Sequence, residues 1–432
     1  MIGWELIEQV EGLEVVKALP EKRDFSGVHF DSRKIVEGNL FLARKGEHLD
    51  GHDYIEQALK NGACLIVGEE AISNPDFAYC RHPNVLEFVI ELAMSYRQSL
   101  RGKLVGITGS VGKTTTKDCL GWLLGDECTA TPGNYNNTLG LPVALLSMPV
   151  HQKFGVFEMG ISEPGEMEVL AKILKPDIMM ITNVQTSHIG NFGSYEKLLE
   201  EKLKSGSHLA ENQSLLVGEE LKKELEERGS MLLKYHVSNN ESFLNEVERK
   251  AWTSQIGKGP LECLEFSLQA SRILGVSTEV LKKKIQARDL ELSPLRMQTV
   301  QMQGIQFLLD CYNASLSSYE AFLDSIEDPQ NWWLVAGDIL ELGEFEEQIH
   351  KTLIGIIEEK NFQRVFLVGK AMRKVFSKGR ELKPSIGYYD GKEEILQEIQ
   401  KSRPQKVGLK ASRGLRLESL VSPENWENEF VS

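Results

Sequence analysis

At 432 residues the chain is long enough for about three domains of roughly 150 residues each. Hydrophobic residues at 41% and charged residues at 26% are the proportions of a soluble folded chain and exclude wholesale disorder. Set against 63 Asp and Glu, the 49 Lys and Arg leave a net charge of −14, which excludes a protein that coats nucleic acid.

The opening MIGWELIEQVEGLEVV carries Glu5, Glu8, Glu11 and Glu14 and no apolar core, so no secretory leader is expected. No apolar run reaches bilayer-spanning length, and no membrane insertion is expected. Cys64, Cys80, Cys119, Cys128, Cys263 and Cys311 form no CxxC pair and show no metal-ligand spacing. They read as reduced, mostly buried thiols, which predicts a cytoplasmic protein.

Three blocks are predicted. In the first, 1–101, short β-like runs at 27–30, 39–43 and 64–67 surround amphipathic stretches at 53–61 and 84–100. The second, 102–295, begins with the buried-strand run LVGIT, a glycine turn and a helix over 113–124. FGVFEMG (strand), PGEMEVLAKILK (helix) and DIMMITN (strand) follow, an alternation that predicts a parallel α/β sheet. The third, 296–432, repeats the alternation with strands at 305–310, 332–336, 364–368 and 406–409, Rossmann-like in outline. The mixed charge run over 219–250 reads as solvated helix.

The strongest motif is TGSVGKTTT, 108–116, between a strand and a helix. Backbone N–H groups at such a helix start attract phosphate. Gly109 and Gly112 allow close approach around Ser110 and Val111, Lys113 neutralises phosphate oxygens, and a Thr114 or Thr115 hydroxyl can ligate Mg²⁺. The general spacing asks for glycine at 107, where this chain has Ile107.

Other candidates depend on position. TPGNYNNTLG, 131–140, is a polar loop that binds a ligand or is simply a solvated turn. Glu158 ends one strand and His188 follows another, at the sheet edge where ligands bind; a carboxylate and an imidazole there suit Mg²⁺, and a surface histidine is the plainer alternative. Lys202 falls on the apolar stripe of Tyr195, Leu198, Leu199, Leu203 and Leu209. It either snorkels to water or, desolvated and partly neutral, reacts with CO₂ to form a carbamate. DCYNAS (310–315), GDILELG (337–343) and KASR (410–413) all follow strands, as crevice loops or as ordinary helix caps, with Asp338 and Ser412 open to either reading.

Taken together, these motifs resemble the Mur ligase superfamily. Asp31-Ser-Arg33, Gly38-Asn-Leu-Phe41 and Asp50-Gly-His52, with Ala58 and Gly62-Ala63, are similar to its UDP-sugar domain. TPGNYNNTLGLPVALL, EMGISEPGEMEVL, NVQTSHIGNFGS, DCYNAS and GDILELG follow in the family's order. The resemblance lies nearest the branch that joins D-alanyl-D-alanine to UDP-N-acetylmuramoyl-tripeptide in peptidoglycan precursor synthesis. It implies three α/β domains: a small UDP-binding domain, a central P-loop sheet and a C-terminal Rossmann-like domain. It further implies an ATP- and Mg²⁺-dependent amide ligase, working as a monomer and without nucleic acid.

The implied roles are specific. Lys113 would bind the γ-phosphate within the 109–115 loop, Thr114 and Glu158 would share one Mg²⁺, and Glu158, His188 and a carbamylated Lys202 the second. Asn137 would contact the nucleotide, Arg296 and Asp310 would reach ATP from the hinge and C-terminal domain, and Asn313, Ser412 and Arg413 would face the acyl phosphate and the amine. Asp31, Ser32 and Arg33 would hold the UDP-sugar. The chain departs from the family at Gly259, Pro260 and Cys263, where a His-Asn-x-x-Asn start is usual, at Ser315-Leu316 in place of Asn-Pro, and at Ala411 in place of Gly. The stretch between Lys202 and Gly257 is also short. Alternatives are a nucleotide-binding homologue with impaired ligase activity and another ligase of the superfamily, such as one acting on folate.

Overall fold

Apolar runs bounded by glycine turns become the inner strands of three sheets in a computed structural model that describes residues 1–21, 23–46, 49–185, 189–210, 213–228, 243–377 and 383–426. The first sheet contains β1 (Glu14–Lys17), β2 (Gly27–His29), β3 (Asn39–Ala43), β4 (Ala63–Gly68) and β5 (Tyr79–Arg81), in the order β1-β5-β4-β3-β2. Only β1 runs antiparallel in it.

The second sheet contains β6 (Lys103–Thr108), β7 (Cys128–Ala130), β8 (Phe154–Glu158), β9 (Ile178–Ile181) and β10 (Ser214–Val217), in the order β10-β9-β6-β8-β7. All its pairings are parallel. The first strand, β6, is central, and the chain fills one side of it with β7 and β8 before crossing to β9. That reversal opens a crevice at the carboxyl end of β6.

The third sheet contains β11 (Gln298–Met302), β12 (Ile305–Asp310), β13 (Trp333–Gly337), β14 (Arg364–Val368), β15 (Ile386–Tyr389) and β16 (Lys406–Lys410), in the order β11-β12-β16-β13-β14-β15. β12 to β16 are parallel, as expected for a Rossmann-like block, and β11 is an antiparallel addition. Gln303 and Gly304 join β11 to β12 at φ of 50° and 80°, the positive pair that a two-residue hairpin turn requires.

The expected boundary at 101 is not a boundary in packing. The helix Val85–Ser99 buries Phe88, Val89, Leu92 and Tyr96 in a single apolar core shared by the first and second sheets. Tyr96 Oη donates to Met148 O at 2.7 Å, and Arg97 Nε donates to Leu174 O at 2.8 Å. The third sheet has its own cores, one on each face. Within it the fully buried Tyr319 hydroxyl lies 2.6 Å from Gly337 O and 2.5 Å from Lys410 O, tying the ends of β13 and β16 together. Tyr319→Phe is therefore expected to cost about 1–3 kcal/mol, read as a lowered urea midpoint.

Candidate active site

The glycine turn after β6 is shaped by its neighbour β9. Gly109 has φ of +145°, and a Cβ there would lie 1.9 Å from Thr182 Oγ1. Ser110 N–H donates to Asn183 O at 3.0 Å and Val111 N–H to Asn183 Oδ1 at 3.0 Å. The Thr182 hydroxyl donates to Val111 O at 2.6 Å. Gly112, at φ of +87°, then starts the helix Lys113–Leu124, which no side chain caps. Its leading N–H groups and its dipole are thus left for an anion. Gly109→Ala should strain this turn by about 1–3 kcal/mol or more, and nucleotide-dependent thermal stabilisation should disappear with it.

Charge is concentrated just beyond the turn. Lys113 Nζ donates to Gly109 O at 2.7 Å and Ser110 O at 3.2 Å, folding back over the loop. Loss of water lowers its pKa to about 8, opposed by Glu158 and assisted by Arg296. Glu158, 1% exposed at the end of β8, accepts from Thr114 Oγ1 at 3.1 Å and Asn136 Nδ2 at 3.4 Å, both on Oε2. Its Oε1 is buried and has no hydrogen-bond partner among the described residues. An orphaned carboxylate oxygen beside a threonine hydroxyl is a hard-oxygen pair that fits Mg²⁺.

Ser194 caps the helix Tyr195–Leu203, with its side chain accepting from Lys197 N–H, and this helix buries Lys202 while Lys204 turns out to pair with Glu201 at 2.7 Å. Burial, and after it the charge of Lys113, hold the Lys202 amine well below the ordinary lysine range. No acid pairs with Lys202 among the described residues. His188 lies outside the described residues.

The crevice continues as a cleft of about 1280 Å³ that reaches the third sheet. Of the expected residues, 110–115, Asn137, Glu158 and Lys202 line one side, and Arg296, Asp310 and Asn313 the other. Arg296 stacks over Tyr312, 4.1 Å from the ring centroid, and its Nε is buried without a partner. Asp310 Oδ2 accepts from Lys410 Nζ at 2.6 Å, and Lys410 also donates to Asn313 O at 2.9 Å. Asn137 Oδ1 is taken up by Leu139 N–H and Gly140 N–H, so its oxygen serves the turn into the next helix. Pro260 and Cys263, at the positions where the resemblance led to an expectation of asparagines, face the cleft from the helix Lys258–Ile273.

Other expected residues lie outside this cleft. The Ser412 hydroxyl accepts from Leu340 N–H at 3.0 Å, and exposed Arg413 pairs with Glu418. Asp338 caps the helix Lys370–Phe376 by accepting from Ala371 and Met372 N–H. In the first domain, Arg33 hydrogen-bonds Asp31 through Nε and a terminal nitrogen, both at 2.8 Å, which holds that carboxyl down to about 2. Ser32 beside it is buried. Sequence reasoning missed Asn136, Lys410 and Tyr312; strand-end placement within motifs already noted was the available signal.

Residues 24–94 match the Mur ligase family catalytic domain, 107–276 the Mur ligase middle domain, and 295–414 the Mur ligase glutamate ligase domain. A UDP-N-acetylmuramoyl-tripeptide–D-alanyl-D-alanine ligase of Bacillus subtilis is 32% identical, over 93% of each chain. The chain belongs to the Mur ligase family. A ligase of the same name from Rickettsia prowazekii is 29% identical over 91% of this Mur ligase and 94% of its own length. Thermotoga maritima MurF ligase, solved in complex with ADP, aligns at a TM-score of 0.75 and 26% identity, over 93% and 97% of the two chains. Acinetobacter baumannii MurF, at 23% identity over 93% of each chain, shares the fold with a TM-score of 0.78.

Proposed function

We propose that this Mur ligase uses ATP to join D-alanyl-D-alanine to UDP-N-acetylmuramoyl-tripeptide, releasing ADP and phosphate. One observation carries the reading: a phosphate loop with Lys113, Glu158 and Lys202 faces Arg296, Asp310 and Lys410 across a single cleft. The names of the similar ligases supply the two substrates.

A carboxylate resists attack by an amine because oxide is a poor leaving group. Transfer of the γ-phosphoryl group to the peptide carboxylate gives an acyl phosphate, whose leaving group is phosphate. The 109–115 loop cradles the triphosphate, and Lys113 balances the charge that gathers on the transferring oxygens. Thr114 and Glu158 would hold Mg²⁺, which when bound draws charge from the phosphate oxygens. Lys202, as a carbamate, would supply further anionic oxygens in place of its amine. Arg296 and Asp310 bring the third domain against the nucleotide, and closure excludes water from the acyl phosphate. The amine then adds to the activated carbonyl, the tetrahedral intermediate expels phosphate, and an amide remains. Asp31, Ser32 and Arg33 would hold the UDP-sugar, and Asn313, Ser412 and Arg413 would act at the amine side after closure.

Both walls of the cleft come from the same chain, so a monomer suffices. No helix among the described residues is long and apolar enough to cross a membrane. A cytoplasmic location, where ATP is supplied, is the reading that goes with the proposed use of ATP.

Oxygen labelling tests the chemistry. With ¹⁸O in the tripeptide's terminal carboxylate, one labelled oxygen should appear in the released phosphate for each amide formed. Amide formation with unlabelled phosphate would rule out the acyl-phosphate route.

A further inference from the structure

One buried cation beside the site has no part in the reaction above. Lys117, three residues beyond Thr114 on the phosphate-loop helix, is 6% exposed. Its ammonium lies 3.0 Å from Asp118 Oδ1 and 3.4 Å from the Thr131 carbonyl, and 3.8 Å from Glu158 Oε1. The last distance is too long for a hydrogen bond and short enough for an ion pair. It points at the one Glu158 oxygen that is buried with no hydrogen bond. Asp118 is anchored independently, its Oδ2 accepting from Ser293 N–H at 2.8 Å, just before the expected hinge.

Two requirements meet at Glu158. A carboxylate 1% exposed is costly to bury unless a positive group faces it. An ion site also has to stay open, and a lysine in full hydrogen-bonded contact with Oε1 would block it. Lys117 satisfies both, because Asp118 and Thr131 hold its ammonium back at 3.8 Å. Among the described residues it is the only cation within ion-pair distance of Glu158.

We propose that Lys117 is a stand-in cation. It neutralises Glu158 while the divalent-ion position is empty and leaves Oε1 free for the ion that replaces it, with Asp118 then balancing the lysine. Lys117 is thus a positioning residue, acting through Glu158. The proposal rests on the reading of Glu158 as an ion ligand.

The test measures Mn²⁺ binding by electron paramagnetic resonance with a non-hydrolysable ATP analogue present, and melting temperature with and without the ion. Lys117→Met should melt lower than wild type without the ion and recover most of the loss with it. Removing the repulsion should also tighten Mn²⁺ binding by about threefold or more. Lys117→Arg, which keeps the charge, should behave as wild type does. An equal drop in melting temperature in both states, or Mn²⁺ affinity unchanged or weakened in Lys117→Met, overturns the proposal. Glu158→Gln separates the two ideas: if it binds Mn²⁺ as wild type does, the ligand reading of Glu158 fails on its own. If Lys117→Met does not fold, the Lys117→Met/Glu158→Gln protein decides, since removing both charges should restore folding. Failure of that protein to fold would assign Lys117 to packing and overturn the proposal.

Discussion

Lys113→Ala should lower phosphate release in the presence of both substrates by at least about 10³-fold while leaving the melting temperature near that of wild type. The amine is the positive group that folds over the phosphate turn, donating to Gly109 O and Ser110 O. Truncation leaves two carbonyls without that donor, a modest loss at a part-buried site. In the reaction it removes the charge opposite the oxygens that become most negative, an interaction strongest in the transition state, so kcat should fall further than ATP affinity.

The same lysine sets a pH dependence. Without nucleotide its pKa stands at about 8, so raising the pH through that value strips its charge. A bound triphosphate favours the ammonium and lifts the pKa. Above pH 8, ATP binding should therefore take up a proton and weaken by up to about tenfold per pH unit. Calorimetry in two buffers of different ionisation heat reads that proton directly. Lys113→Met should bind ATP weakly at every pH and take up none; wild-type turnover in either variant would remove Lys113 from the mechanism.

Lys202→Met should lower turnover by about 100-fold or more, the scale expected when an anionic ligand of the divalent ions at the phosphates is lost. The amine lies buried against the cleft, and burial with Lys113 nearby keeps it well below the usual lysine range. A neutral amine can add to CO₂: the N–C bond forms, one C=O pair moves onto oxygen, and the nitrogen releases a proton. The product is an anion beside Lys113, which turns a repulsion into an attraction. Wild-type protein equilibrated with ¹³C-bicarbonate should show a carbamate carbon resonance that Lys202→Met lacks. Lys202→Arg should not restore activity, because a guanidinium stays charged and does not form the carbamate. Absence of the resonance in active wild type would leave Lys202 as an unmodified buried amine.

Every inner strand but β5 was legible from sequence as an apolar run, and the third sheet's four inner strands emerge within a residue of expectation. β1, β7, β10, β11 and β15 were not, and each is a sheet edge. Edge strands are short or polar, as QTVQM in β11 shows with its mostly exposed residues. β5 was missed because three residues give no periodicity. The site divides in the same way. Residues 110–115 are legible because phosphate binding is a local property of a glycine turn and a helix start. Lys202 stood out as a charge on an apolar stripe. Asn136, Lys117 and Lys410 acquire meaning only from partners brought in by the fold: Glu158 is 22 residues from Asn136, and Asp310 is 100 from Lys410. The placement of buried Ser412 away from the cleft, its hydroxyl serving Leu340 N–H 72 residues away, was equally invisible.

The most direct test follows ADP release by the purified protein with each substrate omitted in turn. The account predicts sustained ADP release only when ATP, UDP-N-acetylmuramoyl-tripeptide and D-alanyl-D-alanine are all present, with one amide formed per ADP. Tight ATP binding with no ADP release under any combination, or release at one rate whichever acceptor is left out, would contradict it.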